Sequence, residues 1–141
     1  MSSTIELAEP HIQQLYQLAC AAREKAYCPY SGYQVGAAIR ISDGTIYTGC
    51  NVENSSYGAT NCAERVAIQK AVSEHGKIQI ADVMVVTDAN PPWPPCGMCR
   101  QVIAEFSAQT VIHAANLQGE IITTSFADLL PQAFTPEHLH R

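Results

Sequence analysis

The sequence predicts an α/β protein, a three-layer α/β/α sandwich with one mixed sheet of about five strands. Three observations point there. Helical and extended periodicities alternate along the chain in the order α-β-β-α-β-α-β-β-α. A continuous apolar run over 80–86 lies between two helical stretches, as in a central strand covered on both faces. Two strand pairs joined by short turns supply antiparallel partners, whereas the strand–helix–strand order over 80–115 implies a right-handed parallel crossover.

Residues 10–26 read as a helix, because Pro10 suits the first turn and Ile12, Leu15, Ala19, Ala22 and Ala26 recur at spacings of three and four. YCPYSGY breaks that pattern. Val35, Ala37, Ile39 and Ile41 then alternate up to Ser42-Asp43-Gly44, and an extended pattern resumes over 46–50, giving a hairpin. A loop rich in Asn, Ser and Gly covers 51–61. A second helix begins near Cys62, turns Val66, Ala67, Ile68 and Ala71 toward the core and stops at Gly76. After the strand at 80–86, ANPPWPP is a stiff loop, since prolines lack a donor and restrict the residues before them. A third helix runs from Cys96–Cys99 to about Ser107, strands follow over 111–115 and 120–123, and Ser125 with Asp128 three residues on caps a short last helix that Pro131 ends. Neither a repeat nor a linker interrupts this order, so residues 1–141 read as a single domain.

Apolar residues make up 47 %, enough for a core without disulfide support, while charged residues make up only 15 % against roughly 25 % in an average domain. The shortage suggests surface covered by another subunit. A net charge of −5 argues against nucleic acid or an anionic membrane surface as partner. MSSTIELAEPHIQQ has neither the basic nor the apolar region of a secretory leader, and no apolar stretch approaches the roughly 20 residues of a membrane span. A cytoplasmic protein with reduced thiols is expected.

Three of the six cysteines stand at helix starts: Cys62 at the second helix, and Cys96 and Cys99 in Pro95-Cys96-Gly97-Met98-Cys99 at the third. Unpaired N–H groups and the helix dipole favour thiolate there, which prepares all three as zinc ligands. A structural site would close with a fourth Cys or His; three ligands leave a position for water. Glu64, two residues after Cys62, faces the same place without being needed as a ligand, as a proton carrier would. A zinc-ribbon module would need a second close cysteine pair and would leave Glu64 unexplained. A redox C-x-x-C protein would leave Cys62 surplus. From position alone Arg65 is equally an exposed helix arginine or a donor to the cysteine sulfurs, and Asn51 and Glu53 are ordinary polar loop residues.

The pair Cys62-Ala63-Glu64 and Pro95-Cys96-Gly97-Met98-Cys99 resembles the zinc nucleobase deaminase signature in its three-cysteine form. AYCPYSGYQVGAA, GCNVENSSY, TNCAERVAIQKAVSEHG, PPCGMCRQVIAEF, NLQGEI and LLPQAFTPEHL resemble, in order over residues 26–139, segments of the homotetrameric cytidine deaminases. The resemblance implies a cytidine deaminase-like fold and a zinc-dependent hydrolase acting on free cytidine and 2′-deoxycytidine in pyrimidine salvage. It implies one zinc per subunit on Cys62, Cys96 and Cys99, Glu64 as the catalytic proton shuttle, and Arg65 as hydrogen-bond donor to the sulfurs. Asn51 and Glu53 would hold the sugar 3′-hydroxyl, the Ala63 N–H the base carbonyl and the Pro94 carbonyl the amino group. Tyr57 and Phe134 would reach a neighbouring subunit's pocket in a homotetramer with shared active sites; position alone favours Phe134 packing within its own subunit.

Two residues depart from that family's pattern and bear on substrate preference. Tyr33 stands where phenylalanine is usual near base and sugar, keeping an aromatic face and adding a hydroxyl. Pro94 replaces the usual serine, which preserves a backbone carbonyl contact and removes a hydroxyl one. A modified pyrimidine nucleoside or a nucleoside antibiotic is the alternative substrate class. Cys20, Cys28 and Cys50 read as small buried thiols, the five histidines lack a helix-start spacing with the cysteine triad, and Trp93 is either a cap over the pocket or loop packing.

Overall fold

The computed structural model describes residues 2–140, and residue 108 by its backbone alone; the terminal residues of the expected 1–141 domain lie outside the described residues. The chain runs β1 (Ser2–Thr4), α1 (Pro10–Arg23), β2 (Gly36–Ile41), β3 (Ile46–Cys50), α2 (Ala63–His75), β4 (Ile80–Thr87), α3 (Gly97–Phe106), β5 (Ser107–Asn116), β6 (Glu120–Ser125) and α4 (Phe126–Leu129), with 3-10 turns at Ile5–Leu7, Tyr57–Ala59 and Pro136–Leu139. Among the described residues the sheet has six strands, in the order β1-β6-β5-β4-β2-β3. The strand beyond the expected five is β1, a three-residue edge paired with β6. Among these six strands only β4 and β5 pair in parallel; the other strand pairings are antiparallel.

Alternation along each strand sends side chains to two different helical layers. On one face Ile39, Ile41, Val83 and Ile112 pack with Ala67, Ile68 and Ala71 of α2 and Ile103 of α3. On the other, Ala38, Met84, Val86, Ala115 and Ile121 pack with Ile12, Leu15 and Ala19 of α1. The predicted burial of β4 on both faces is therefore met, and each fully buried Leu or Ile contributes about 1.5–3 kcal/mol. Ile80 shares the face of Val83 because the register slips between Ile80 and Asp82.

Two glycines set how close the helices lie. A Cβ on Gly36 would overlap the Ala19 carbonyl of α1, and one on Gly49 would stand 2.6 Å from both the Ala63 carbonyl and the Ala67 amide of α2. The first turn of α2 thus rests directly on β3. Since β3 and β4 both run antiparallel to β2, their C-terminal ends lie at one end of the sheet. From that end the chain passes into α2 and, after the proline loop, into α3.

Helix α1 stops at Arg23 rather than 26: the amides of Lys25 and Ala26 turn back three residues to Ala22 and Arg23, and Arg23 Nε donates to the Gln34 carbonyl at 3.1 Å. The cap on the last helix is as expected, with Ser125 Oγ accepting from the Asp128 amide at 3.3 Å. Cys20, Cys28 and Cys50 are half-buried rather than fully buried. Among the described residues no helix is long and apolar enough to cross a membrane.

Candidate active site

Cys62 and Cys96 occupy the N-cap positions of α2 and α3, both with extended backbone, and Cys99 lies in the first turn of α3. Their three sulfurs lie within 4.8 Å of one another. Cys62 Sγ and Cys96 Sγ are 3.8 Å apart. Tetrahedral thiolates at a Zn–S distance of about 2.3 Å stand about 3.8 Å from each other, so this donor set fits zinc. Cys96 is exposed, Cys62 half-buried and Cys99 buried, which gives the cluster one side open to the cavity described next.

The thiols do not share their protons evenly. Hydrogen bonding from Cys99, opposed by burial and assisted by Arg65 and Cys96, pulls Cys62 down to about 5. Cys99 is pushed above the usual thiol range by its donation to Cys62 and by burial. Arg65 Nη2 lies 3.5 Å from Cys62 Sγ and 3.4 Å from the Thr60 carbonyl, and Nη1 donates to Met98 Sδ at 3.2 Å. Its Nε is buried with no hydrogen-bond partner among the described residues. The helix arginine is therefore turned onto the sulfurs and not out to solvent.

Glu64, in the first turn of α2, is only 3 % exposed. Burial pushes its carboxyl up to about 7, with the Cys62 charge adding to the shift and its own amide and Arg65 opposing it. It opens on a cavity of about 220 Å³ shared with Cys62, Cys96, Ala63, Pro94 and Asn51. Glu53, Tyr33 and Trp93 also line this space. The Ala63 amide is at the first position of α2, one of those a helix leaves without an internal partner.

The two residues expected to hold a sugar are themselves held by the 30–35 segment. Asn51 Oδ1 accepts from the Val35 amide at 2.9 Å and its Nδ2 donates to the Tyr33 carbonyl at 2.7 Å. Glu53 Oε1 accepts from the amides of Tyr30 and Ser31 at 2.9 and 3.0 Å, and Oε2 from the Ser31 hydroxyl. Those Ser31 bonds hold its carboxyl below the usual carboxylate range. Side-chain valence remains: one amide hydrogen on Asn51 and lone pairs on Glu53.

Tyr57 and Phe134 lie elsewhere. Tyr57 is 75 % exposed and meets Tyr30 edge-on at 5.8 Å; Phe134 is 55 % exposed and stacks on His138 at 5.1 Å. Neither lines the cavity around Glu64. Trp93 does line it, edge-on to Tyr33 at 5.2 Å. Of the histidines, His113 is buried against Asp82, away from the thiols. Sequence reasoning missed Ser31, Thr60, Val85 and Thr87 in the lining. Val85 and Thr87 carried a signal, being alternate positions at the end of the central strand; Ser31 and Thr60 carried none.

A family model for the cytidine and deoxycytidylate deaminase zinc-binding region matches residues 10–115. The chain belongs to this deaminase family. Among relatives of this deaminase chain, a cytidine deaminase of Halalkalibacterium halodurans is 50 % identical over 129 residues, covering 91 % of this chain and 97 % of its own. A cytidine deaminase of Sporosarcina psychrophila is 50 % identical over 129 residues, covering 91 % and 94 %. The crystal structure of cytidine deaminase from Burkholderia pseudomallei matches with a TM-score of 0.82 at 46 % identity, over 86 % of this chain and 98 % of that one. The deaminase fold expected from the sequence is the one observed.

Proposed function

We propose that this chain is a zinc-dependent cytidine deaminase, a single catalytic domain that converts free cytidine and 2′-deoxycytidine to uridine and deoxyuridine with release of ammonia, in cytoplasmic pyrimidine salvage. The observation that carries the reading is a buried carboxyl, Glu64, that opens on the same cavity as Cys62 and Cys96, whose sulfurs cluster with that of Cys99 at zinc spacing. The relatives' names support the choice of cytidine.

Cys62, Cys96 and Cys99 would hold one zinc per subunit. When bound, the metal supplies the Lewis acidity that makes water a competent nucleophile near neutral pH. The Glu64 carboxylate takes one proton as the water oxygen bonds to C4 and places it on ring N3. It then takes the second proton from the oxygen now on C4 and delivers it to the amino nitrogen, so that the C4–N bond breaks to leave the C4 carbonyl and ammonia. The Ala63 N–H donates to the base carbonyl, the Pro94 carbonyl accepts from the amino group, and Tyr33 offers the base and sugar an aromatic face. The remaining Asn51 hydrogen and Glu53 lone pair serve the 3′-hydroxyl. A carboxylate at that place accepts from a hydroxyl and repels a phosphate, which favours a nucleoside over a nucleotide. Arg65 draws charge from a thiolate shell that would otherwise leave zinc a weak Lewis acid.

The exposed Tyr57 and Phe134, with the low charge content, support a homotetramer in which each reaches a neighbour's pocket. Purified protein is expected to release ammonia from cytidine and deoxycytidine, to carry one zinc per chain, and to sediment as a tetramer. A zinc-replete protein that leaves cytidine unchanged would overturn the activity; an active monomer at micromolar concentration would overturn the assembly.

A further inference from the structure

The cavity around Glu64 shares Tyr33, Thr87 and Trp93 with a second cavity, of about 270 Å³, that runs back to Arg23 and Asp88. The indole of Trp93 therefore has hollow space on two sides. It is 44 % exposed, and its ring contact is the edge-on one with Tyr33, at 5.2 Å and 66°. Pro92 and Pro94 fix the backbone dihedrals on either side of it, so the loop presents the ring without much freedom to withdraw it.

We propose that Trp93, braced by Tyr33, is a specificity-determining residue that limits the size of the substituent a cytidine can carry at ring C5. The inference rests on the activity proposed above. A base whose N3 edge faces Glu64, and whose amino group reaches the Pro94 carbonyl, turns its C5 edge to the side next to Pro94, where Trp93 stands. A hydrogen at C5 fits against the indole. A bulky halogen or alkyl group meets it, and making room costs the edge-on contact with Tyr33. Without the indole the two cavities join, and the group enters the second one. The substrate class admitted is then the 5-substituted cytidines, deaminated by the same groups at the same carbon.

The test compares kcat/KM for 5-iodocytidine with kcat/KM for cytidine in the wild type, Trp93→Ala and Trp93→Leu. Both substrates are assayed on one preparation, so the ratio is independent of the fraction that folds. It is expected to rise about tenfold or more in the variants, since apolar pockets discriminate a small group by roughly 10–200-fold. Trp93 is the only tryptophan in the chain, so cytidine added to Glu64→Gln protein is also expected to change its fluorescence. An unchanged or lowered ratio in both variants, or turnover lost in both, overturns the proposal while leaving the cytidine activity of the wild type standing. A wild type that releases no ammonia from cytidine overturns both readings together.

Discussion

The Arg65 guanidinium lies across the Cys62 sulfur, with Nη2 3.5 Å from Sγ. A cation donating to a thiolate lowers the charge that the thiolate gives its metal. Arg65→Gln is expected to weaken zinc binding by roughly 10–100-fold and to slow turnover, with Arg65→Lys in between because it keeps the charge and loses the planar fork. Competition with a chromophoric chelator measures the affinity. Equal affinities and rates in all three proteins would make Arg65 a bystander.

Glu64→Gln is expected to fold and hold zinc while losing at least the upper end of the roughly 10²–10⁴-fold that proton transfer by one residue commonly supplies, because this residue serves several transfers. Ammonia release from zinc-replete protein is the measurement. Turnover near that of the wild type would remove Glu64 from the chemistry.

Gly49→Ala places a methyl 2.6 Å from two backbone atoms of α2, neither of which is a side-chain end free to swing away. The first turn of α2 must lift, and overpacking of this kind costs about 1–3 kcal/mol. The melting temperature is expected to fall by roughly 2–4 °C per kcal/mol. Cys62 and Glu64 lift with that turn, so activity measured well below the melting transition is expected to fall as well. A variant with both values unchanged would mean that α2 is not seated by Gly49.

Asp82 is buried in the sheet, taking hydrogen bonds from Arg40 Nε at 2.9 Å and His113 Nε2 at 3.0 Å. Burial alone would raise its carboxyl, but the bonds from His113 and Arg40 outweigh it and hold the group below its ordinary value. A depressed native pKa contributes stability that is fully present above the unfolded value, about 3.9, and is lost as pH falls through the native one. Denaturant midpoints are therefore expected to drop steeply below about pH 4, and Asp82→Asn to flatten that limb while costing about 1–3 kcal/mol at neutral pH. An acid limb unaltered by Asp82→Asn would show that other carboxylates set it.

What the sequence conveyed well was whatever depends on neighbours along the chain. Helix starts at Cys62 and Cys96, the Ser125 cap and the apolar period of the strands are local, and the resemblance of the two cysteine motifs to the deaminase signature put the three sulfurs and Glu64 in one site. What it concealed depends on contacts through space. β1 is three polar residues whose extended form comes from β6, not from any alternation of their own. Asn51 and Glu53 look like free loop side chains until the 30–35 segment is seen spending most of their valence. For Trp93 the sequence left a pocket cap and loop packing open, and its place in the lining of the cavity around Glu64 decides for the pocket.

Cys62 and Cys96 stand 34 residues apart and belong to two different strand–helix units, one leaving β3 and the other leaving β4. An ion gripped by both is a cross-link, and in the unfolded chain the same grip would close a loop whose entropic cost grows only slowly with its length. The segment so enclosed contains β4, the strand to which β2 and β5 are both paired. A zinc held by these cysteines would thereby be joined to the central strand of the sheet: a chelator is expected to speed hydrogen exchange in β4 itself, well beyond the three residues proposed to hold the metal.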